Sequence, residues 1–268
     1  MSDQQAALGR FRESLTEALR AALAEAQAAS DPQVVALYSQ IEYHLGWRGA
    51  DLAPLDPAQT HSGKLLRPTL TLYACELAAL ASGALTPESD GEHTMLAERA
   101  MPAAVAVELV HNFSLIHDDI EDGDEERHHY PTLWKLWGQP QAINTGDALF
   151  ALARAQMWGL AGRDVSPALV VRAGRILDRA CLDICEGQYL DMSFEGRQDV
   201  TVAQYFAMID RKTAALMRCA AELGGRIGAP ENDELGDRLA DFGRALGLAF
   251  QLRDDLLGIW AAKTLGKT

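Results

Sequence analysis

The chain has 268 residues, 48% of them apolar, with 38 acidic against 24 basic side chains and a net charge of −14. That apolar fraction supports a sizeable core, while the acidic balance argues against nucleic acid or an anionic membrane surface as a main partner, since both need cationic patches. Small phosphorylated substrates stay open, because a divalent metal reverses the sign of a local site.

The first residues, "MSDQQAALGRFRESL", show no basic segment followed by an apolar one, so no leader is expected. Helical periodicity starts in "QAALGRFRESLTEALRAALAEAQAA", rich in strong helix formers with apolar residues three and four apart. The same texture returns in "LRPTLTLYACELAALASG", "MPAAVAVELVHNFSLIHDD", "NTGDALFALARAQMWGLAG", "ALVVRAGRILDRACLDICEGQYLDM", "VTVAQYFAMIDRKTAALMRCAAELGGRIG" and "ELGDRLADFGRALGLAFQLRDDLLGIW". Between them lie short turn-rich connectors such as "SGALTPESDGEH", "DGDEERHHYP" and "WGQPQ". Strand signals are absent, and no linker is long enough to separate a second domain from the first. The expectation is one all-α helical bundle over residues 1–268 around a central cavity, with Ala103 to Ile116, apolar nearly all round, at its centre.

No run of about 18 apolar residues would cross a membrane. Cys75, Cys181, Cys185 and Cys219 form no CxxC pair and read as reduced, buried small residues. Together these features lead to the expectation of a soluble cytoplasmic protein.

The densest charge lies in "SLIHDDIEDGDEERHHYPTLW", where seven of the nine residues from Asp118 to Glu126 are acidic. Asp118 and Asp122 are four apart and share a helical face, about 6 Å apart along the axis. With Mg²⁺ such a pair becomes a hard-oxygen site that leaves positions for water and phosphate. Asp254 and Asp255, at the end of another apolar helix, could supply an opposite wall, as facing helices do in metal-binding bundles. A solvated acidic loop is the plain alternative. A calcium-binding EF-hand loop is a third, but Ile120 and His129 stand where it needs an oxygen ligand and Glu.

Six segments resemble, in order, the trans-isoprenyl diphosphate synthases of the polyprenyl synthetase family: "GKLLRP", "ELVHNFSLIHDDIED", "RHHYPT", "EGQYLD", "RKTAAL" and "FQLRDDLLG". The resemblance implies an isoprenoid synthase fold and a homodimer acting on prenyl diphosphates. It implies three Mg²⁺ ions held by Asp118 and Asp122 on one side and Asp254 on the other, with Asp119 and Asp255 completing or supporting the shell. Arg127, Lys212 and Lys267 would grip the allylic diphosphate, with Thr213 and Gln251 beside the ionising carbon. Isopentenyl diphosphate would bind a separate basic pocket of Gly63, Lys64, Arg67, His111 and His128.

Three departures accompany the resemblance. His128 stands where the family usually shows a second Arg, which predicts weaker or more pH-dependent binding of isopentenyl diphosphate. Gly258 replaces the last Asp of the second motif. The chain stops at "GKT", where further C-terminal helices are expected, leaving the site open to water at one end. An aromatic residue at Phe113 beside the small Ser114 resembles archaeal-type geranylgeranyl diphosphate synthases and favours that product first, farnesyl second. A class I terpene cyclase or a non-catalytic partner subunit are the competing functions; Lys64, Arg67 and His111 argue against the first, and intact Asp118, Asp119 and Asp122 against the second.

Overall fold

A computed structural model describes residues 9–56, 58–60, 63–86 and 90–264. In chain order, α1 (Arg12–Ala28), α2 (Val35–His44), α3 (Leu66–Ala81) and α4 (Asp90–Glu121) lead to a small hairpin, β1 (Glu126–Arg127) and β2 (Tyr130–Pro131). Then come α5 (Leu133–Trp137), α6 (Gln139–Trp158), α7 (Pro167–Phe194) and α8 (Val202–Ile209), a π-helical turn at Asp210–Ala214, α9 (Ala215–Gly228) and α10 (Asp233–Thr264). The fold is all-α, as the periodicity predicts. Among the described residues no helix is long and apolar enough to cross a membrane.

Helix α4 is the central element, packing on α3, α6 and α9. Ala103, Ala104, Ala106, Val107, Leu109 and Val110 are almost wholly buried, which is the all-round apolarity read from the sequence. The helix begins at Asp90, well before the expected start near Met101, and runs through Pro102. Buried Leu96 and Ala100 anchor its earlier turns in the core. A polar, Gly-containing stretch therefore reads as a connector although tertiary burial makes it helix.

Helices α9 and α3 approach closely because α9 carries Gly224 and Gly228. A Cβ at Gly228 would lie 2.1 Å from the Cys75 carbonyl oxygen, and one at Gly224 2.2 Å from that of Thr71. At the α7 N-terminus Ser166 accepts from the Leu169 N–H at 3.3 Å, satisfying a donor that the helix itself leaves free.

The hairpin corrects the expectation of no strands. Arg127 pairs with Tyr130 across a two-residue loop, in which His128 and His129 both have positive φ, 52° and 70°. A type I′ turn requires this at both central positions and favours Asn or Gly there. Histidines mask that signal in the sequence. Tyr43, at the end of α2, donates its hydroxyl to the Pro131 carbonyl at 2.7 Å and holds the hairpin against the bundle. His129→Gly should raise stability by about 1 kcal/mol by removing left-handed strain, read as a higher denaturation midpoint; His129→Val should lower it.

Candidate active site

The C-terminal end of α4, the hairpin, the segment before α3, the C-terminal part of α7, the π turn and α10 enclose one cavity of about 1050 Å³. Helix α4 brings Asp118 and Asp119 to its wall, and α10 brings Asp254 from the far end of the chain. The two acidic motifs therefore meet across a shared space.

Neighbouring carboxylates on α4 differ sharply in surroundings. Asp119 is only 3% exposed and is held by Arg127, whose Nε donates to Oδ1 at 2.8 Å. Burial pushes its carboxyl up, and Arg127 opposes that shift. Asp118 meets Lys212 Nζ at 3.3 Å. Asp122 lies exposed outside the cavity lining, yet its carboxyl is raised, first by partial burial and then by Asp118, with Lys212 opposing and Asp191 adding to the shift. Asp118, Asp122 and Asp191 thus crowd negative charge around one ammonium.

The facing wall depends on the π turn. Lys212 Nζ also contacts Asp191 on α7 at 2.5 Å. Gly187 on α7 permits this: a Cβ there would sit 2.2 Å from the Lys212 backbone nitrogen. Thr213 donates its hydroxyl to Gln251 Oε1 at 2.7 Å, and Gln251 Nε2 donates to Asp255 Oδ1 at 2.8 Å. Tyr205 donates to the other Asp255 oxygen; burial and that carboxylate push the phenol up to about 12. Asp255 is thereby occupied on both oxygens, whereas Asp254 is exposed towards the cavity.

Gly63, Lys64, Arg67, His111, Arg127 and His128 line the same cavity. The Arg67 Nη1 donates to His111 Nε2 at 3.1 Å, so that imidazole nitrogen carries a lone pair. Burial, then Arg67, hold His111 well below its ordinary value. Buried Glu108 offsets the Arg67 charge, and burial raises its own carboxyl. Asn112 donates to the Glu108 carbonyl at 2.8 Å and to its carboxylate at 3.1 Å.

The family model for polyprenyl synthetases matches residues 52–268. The chain belongs to the polyprenyl synthetase family. It is 42% identical over 224 residues to a (2E,6E)-farnesyl diphosphate synthase of Mycobacterium tuberculosis, covering 82% of this chain and 55% of that protein. It is 44% identical over 218 residues to a geranylgeranyl diphosphate synthase of the same species, covering 81% and 56%. The chain thus spans about half the length of these curated relatives. A polyprenyl synthetase crystal structure from Streptomyces coelicolor superimposes with a TM-score of 0.79 at 38% identity, covering 99% of this chain and 70% of that one.

In this chain, Phe113 and Ser114 also line the cavity. Phe113 packs against the Phe150 ring at 5.2 Å between centroids and edge-on to His117 at 5.5 Å, although helical spacing alone places Ser114 nearer the Asp118 face. Asp122 and Asp255 are the two expected site residues that the cavity lining omits, and Lys267 lies outside the described residues. One cysteine departs from expectation: Cys185 is exposed rather than buried, because its face of α7 turns to the cavity.

One cavity residue, His44, escapes sequence reasoning. His44 and Gln188 line the cavity. His44 Nε2 and both Gln188 amide atoms are buried without a hydrogen-bond partner. Gln188 lies within "EGQYLD", a segment that does carry a signal; His44 lies in none. Gly187→Ala should cost about 1–3 kcal/mol by overpacking the π turn, measured by chemical denaturation, and should lower activity more than stability alone explains.

Proposed function

We propose that this chain is a Mg²⁺-dependent prenyltransferase that condenses isopentenyl diphosphate with an allylic diphosphate into a short-chain all-trans prenyl diphosphate, geranylgeranyl first and farnesyl second. One observation carries the reading: a single cavity is lined both by carboxylates from distant stretches of the chain, Asp118 and Asp254, and by the basic cluster of Lys64, Arg67 and His128. The farnesyl and geranylgeranyl diphosphate synthases among its relatives support it. A homodimeric, cytoplasmic enzyme formed as one isoprenoid synthase domain belongs to the same proposal.

The donor chemistry fits magnesium. Asp118 raises the Asp122 carboxyl, and a hard cation relieves such like-charge crowding. Among the described residues no three His, Cys, Asp or Glu side chains already gather as one metal-binding group. Asp118, Asp122 and Asp254 would therefore hold the ions together with substrate oxygens. Asp119 and Asp255, tied to Arg127 and to Tyr205 and Gln251, act as supports. Bound magnesium supplies Lewis-acid neutralisation of a leaving diphosphate.

The remaining chemistry belongs to side chains. Lys212 and Arg127 add cationic donors for the departing diphosphate, with Lys267 as a further expected donor. Thr213 and Gln251, linked to each other, present oxygens beside the allylic carbon. Lys64, Arg67, His111 and His128 hold the diphosphate that stays intact, away from the metal-binding carboxylates. Phe113 and Phe150 close the apolar end against the growing chain.

The basic cluster favours elongation over a terpene cyclase, which ionises one substrate and needs no second diphosphate pocket. Mass spectrometry after incubation with labelled isopentenyl diphosphate, an allylic primer and Mg²⁺ should show labelled prenyl diphosphates; unlabelled cyclic hydrocarbon would identify a cyclase instead. Asp118→Asn should lower kcat about 10²–10³-fold, the scale of losing a key electrostatic group. Phe113→Ala should shift the product distribution to longer chains, and an unchanged distribution would place the floor elsewhere.

A further inference from the structure

We propose that His117, seated on the bare backbone of Gly146, is a positioning residue that keeps the Phe113 ring in place as the stop for the growing prenyl chain. The inference rests on the functional reading above and adds to it two residues that neither bind metal nor hold diphosphate.

Helices α4 and α6 meet here in register. Phe113 and His117 are four apart on α4 and share a face; Gly146 and Phe150 do the same on α6. Phe113 faces Phe150 and His117 faces Gly146, so the two pairs match in antiparallel order. A Cβ at Gly146 would lie 2.3 Å from His117 Nε2 and 2.4 Å from Cδ2. Only glycine therefore lets the imidazole lie directly on the α6 backbone. A hydrogen bond fixes the ring there: Nε2 donates to the Ile143 carbonyl at 3.2 Å, and the exposed Asp147 carboxylate stands 3.7 Å from the same nitrogen.

That seat decides what Phe113 can do. Its buried ring meets the His117 ring edge-on, with centroids 5.5 Å apart and planes at 87°. It meets the Phe150 ring at 5.2 Å. Both separations lie in the favoured range for aromatic pairs. The Phe150 ring lies 6.0 Å from the Arg154 guanidinium, which is paired with Asp178 on α7. Phe113 is thus held by rings from its own helix and from α6, and the second of these is itself braced.

The cavity lies on one side of this cluster. Phe113 and His117 both line it, whereas among the described residues α6 contributes nothing to its lining. The imidazole therefore stands between α6 and the cavity, and whatever pushes it off α6 pushes it inward. An apolar chain lengthening beneath Asp118 presses on Phe113. The ring yields only by turning aside, and it turns only if a neighbour gives way, because interiors are close-packed. His117 has helix backbone directly behind it and does not give way. Phe113 supplies the stop, His117 keeps it from turning, and Gly146 lets backbone serve as the backing.

The test is product analysis by mass spectrometry at matched low conversion, with the full chain, isopentenyl diphosphate, a short allylic primer and Mg²⁺. His117→Ala should move the main product up by about one five-carbon unit, because the gap left beside Phe113 lets its ring turn. His117→Phe keeps a ring edge on Phe113 and should not lengthen the product. Gly146→Ala should move the main product down by about one unit, since overpacking drives the imidazole inward. That shortening should vanish when His117→Ala and Gly146→Ala are combined, because the added methyl then meets no ring. In a Phe113→Ala background, His117→Ala should change nothing further.

Unchanged products in both His117→Ala and Gly146→Ala, while Phe113→Ala lengthens them, overturn the proposal; a lowered melting point alongside would assign the pair a structural role only. Lengthening by His117→Ala that adds to that of Phe113→Ala overturns it too, because His117 would then be a stop in its own right. Shortening by Gly146→Ala that survives without the imidazole does the same. If Phe113→Ala leaves products unchanged, the inference falls while the prenyltransferase reading stands. Absence of any prenyl diphosphate product from the unaltered protein would bring down both.

Discussion

The ammonium of Lys212 is the charge on which the acidic wall depends. It touches Asp118 from α4 and Asp191 from α7, and it opposes the upward shift of Asp122. Without a cation these carboxylates would repel across a partly dry space. The ammonium reaches them because the backbone carrying it widens into a π turn and lies directly on Gly187. Backbone geometry, small-residue packing and charge balance are thus one arrangement.

The same division of labour runs through both acidic motifs. In each, one Asp is tied down by short hydrogen bonds, while its neighbour has no such bond and meets at most the Lys212 ammonium. Asp119 is held by Arg127 and Asp255 by Tyr205 and Gln251, while Asp118 and Asp254 face the cavity. A tied carboxylate fixes the helix end and the basic or polar side chain beside it; an open one is free for ligands. Paired Asp residues therefore supply rigidity and reactivity from adjacent positions. In the basic pocket the pattern inverts, because Arg67 and His44 each keep a buried polar atom without a partner.

Much of this was legible in the sequence. Apolar periodicity reports burial, so the helices around Leu109 and Leu216 were readable. The ordered motifs name Asp118 near the end of α4, Lys212 in the π turn and Asp254 within α10, and all three line the cavity. The rest is hidden for physical reasons. Positive φ at His128 and His129 has no compositional marker when the residues are not Gly or Asn. The start of α4 at Asp90 depends on tertiary contacts of Leu96 and Ala100. His44 is one polar residue at the end of a helix, and only the fold brings it to the cavity wall with Arg67 and His111. Asp122 and Asp255 share motifs with cavity residues yet lie outside its lining: Asp122 falls just past the end of α4, and Asp255 points about 100° away from Asp254 on α10.

The π turn at Asp210–Ala214 joins α8 to α9 without interrupting the chain of helical residues. A π turn accommodates an extra residue within an otherwise α-helical run. Shortening the chain there by one position would let ordinary helix run straight through, rotating everything upstream by about 100° relative to α9. Tyr205 would swing away from Asp255, and Lys212 could no longer reach both its carboxylates. Length in this stretch is consequently more constrained than residue identity: substitutions can be absorbed, whereas a single deletion would re-index the wall.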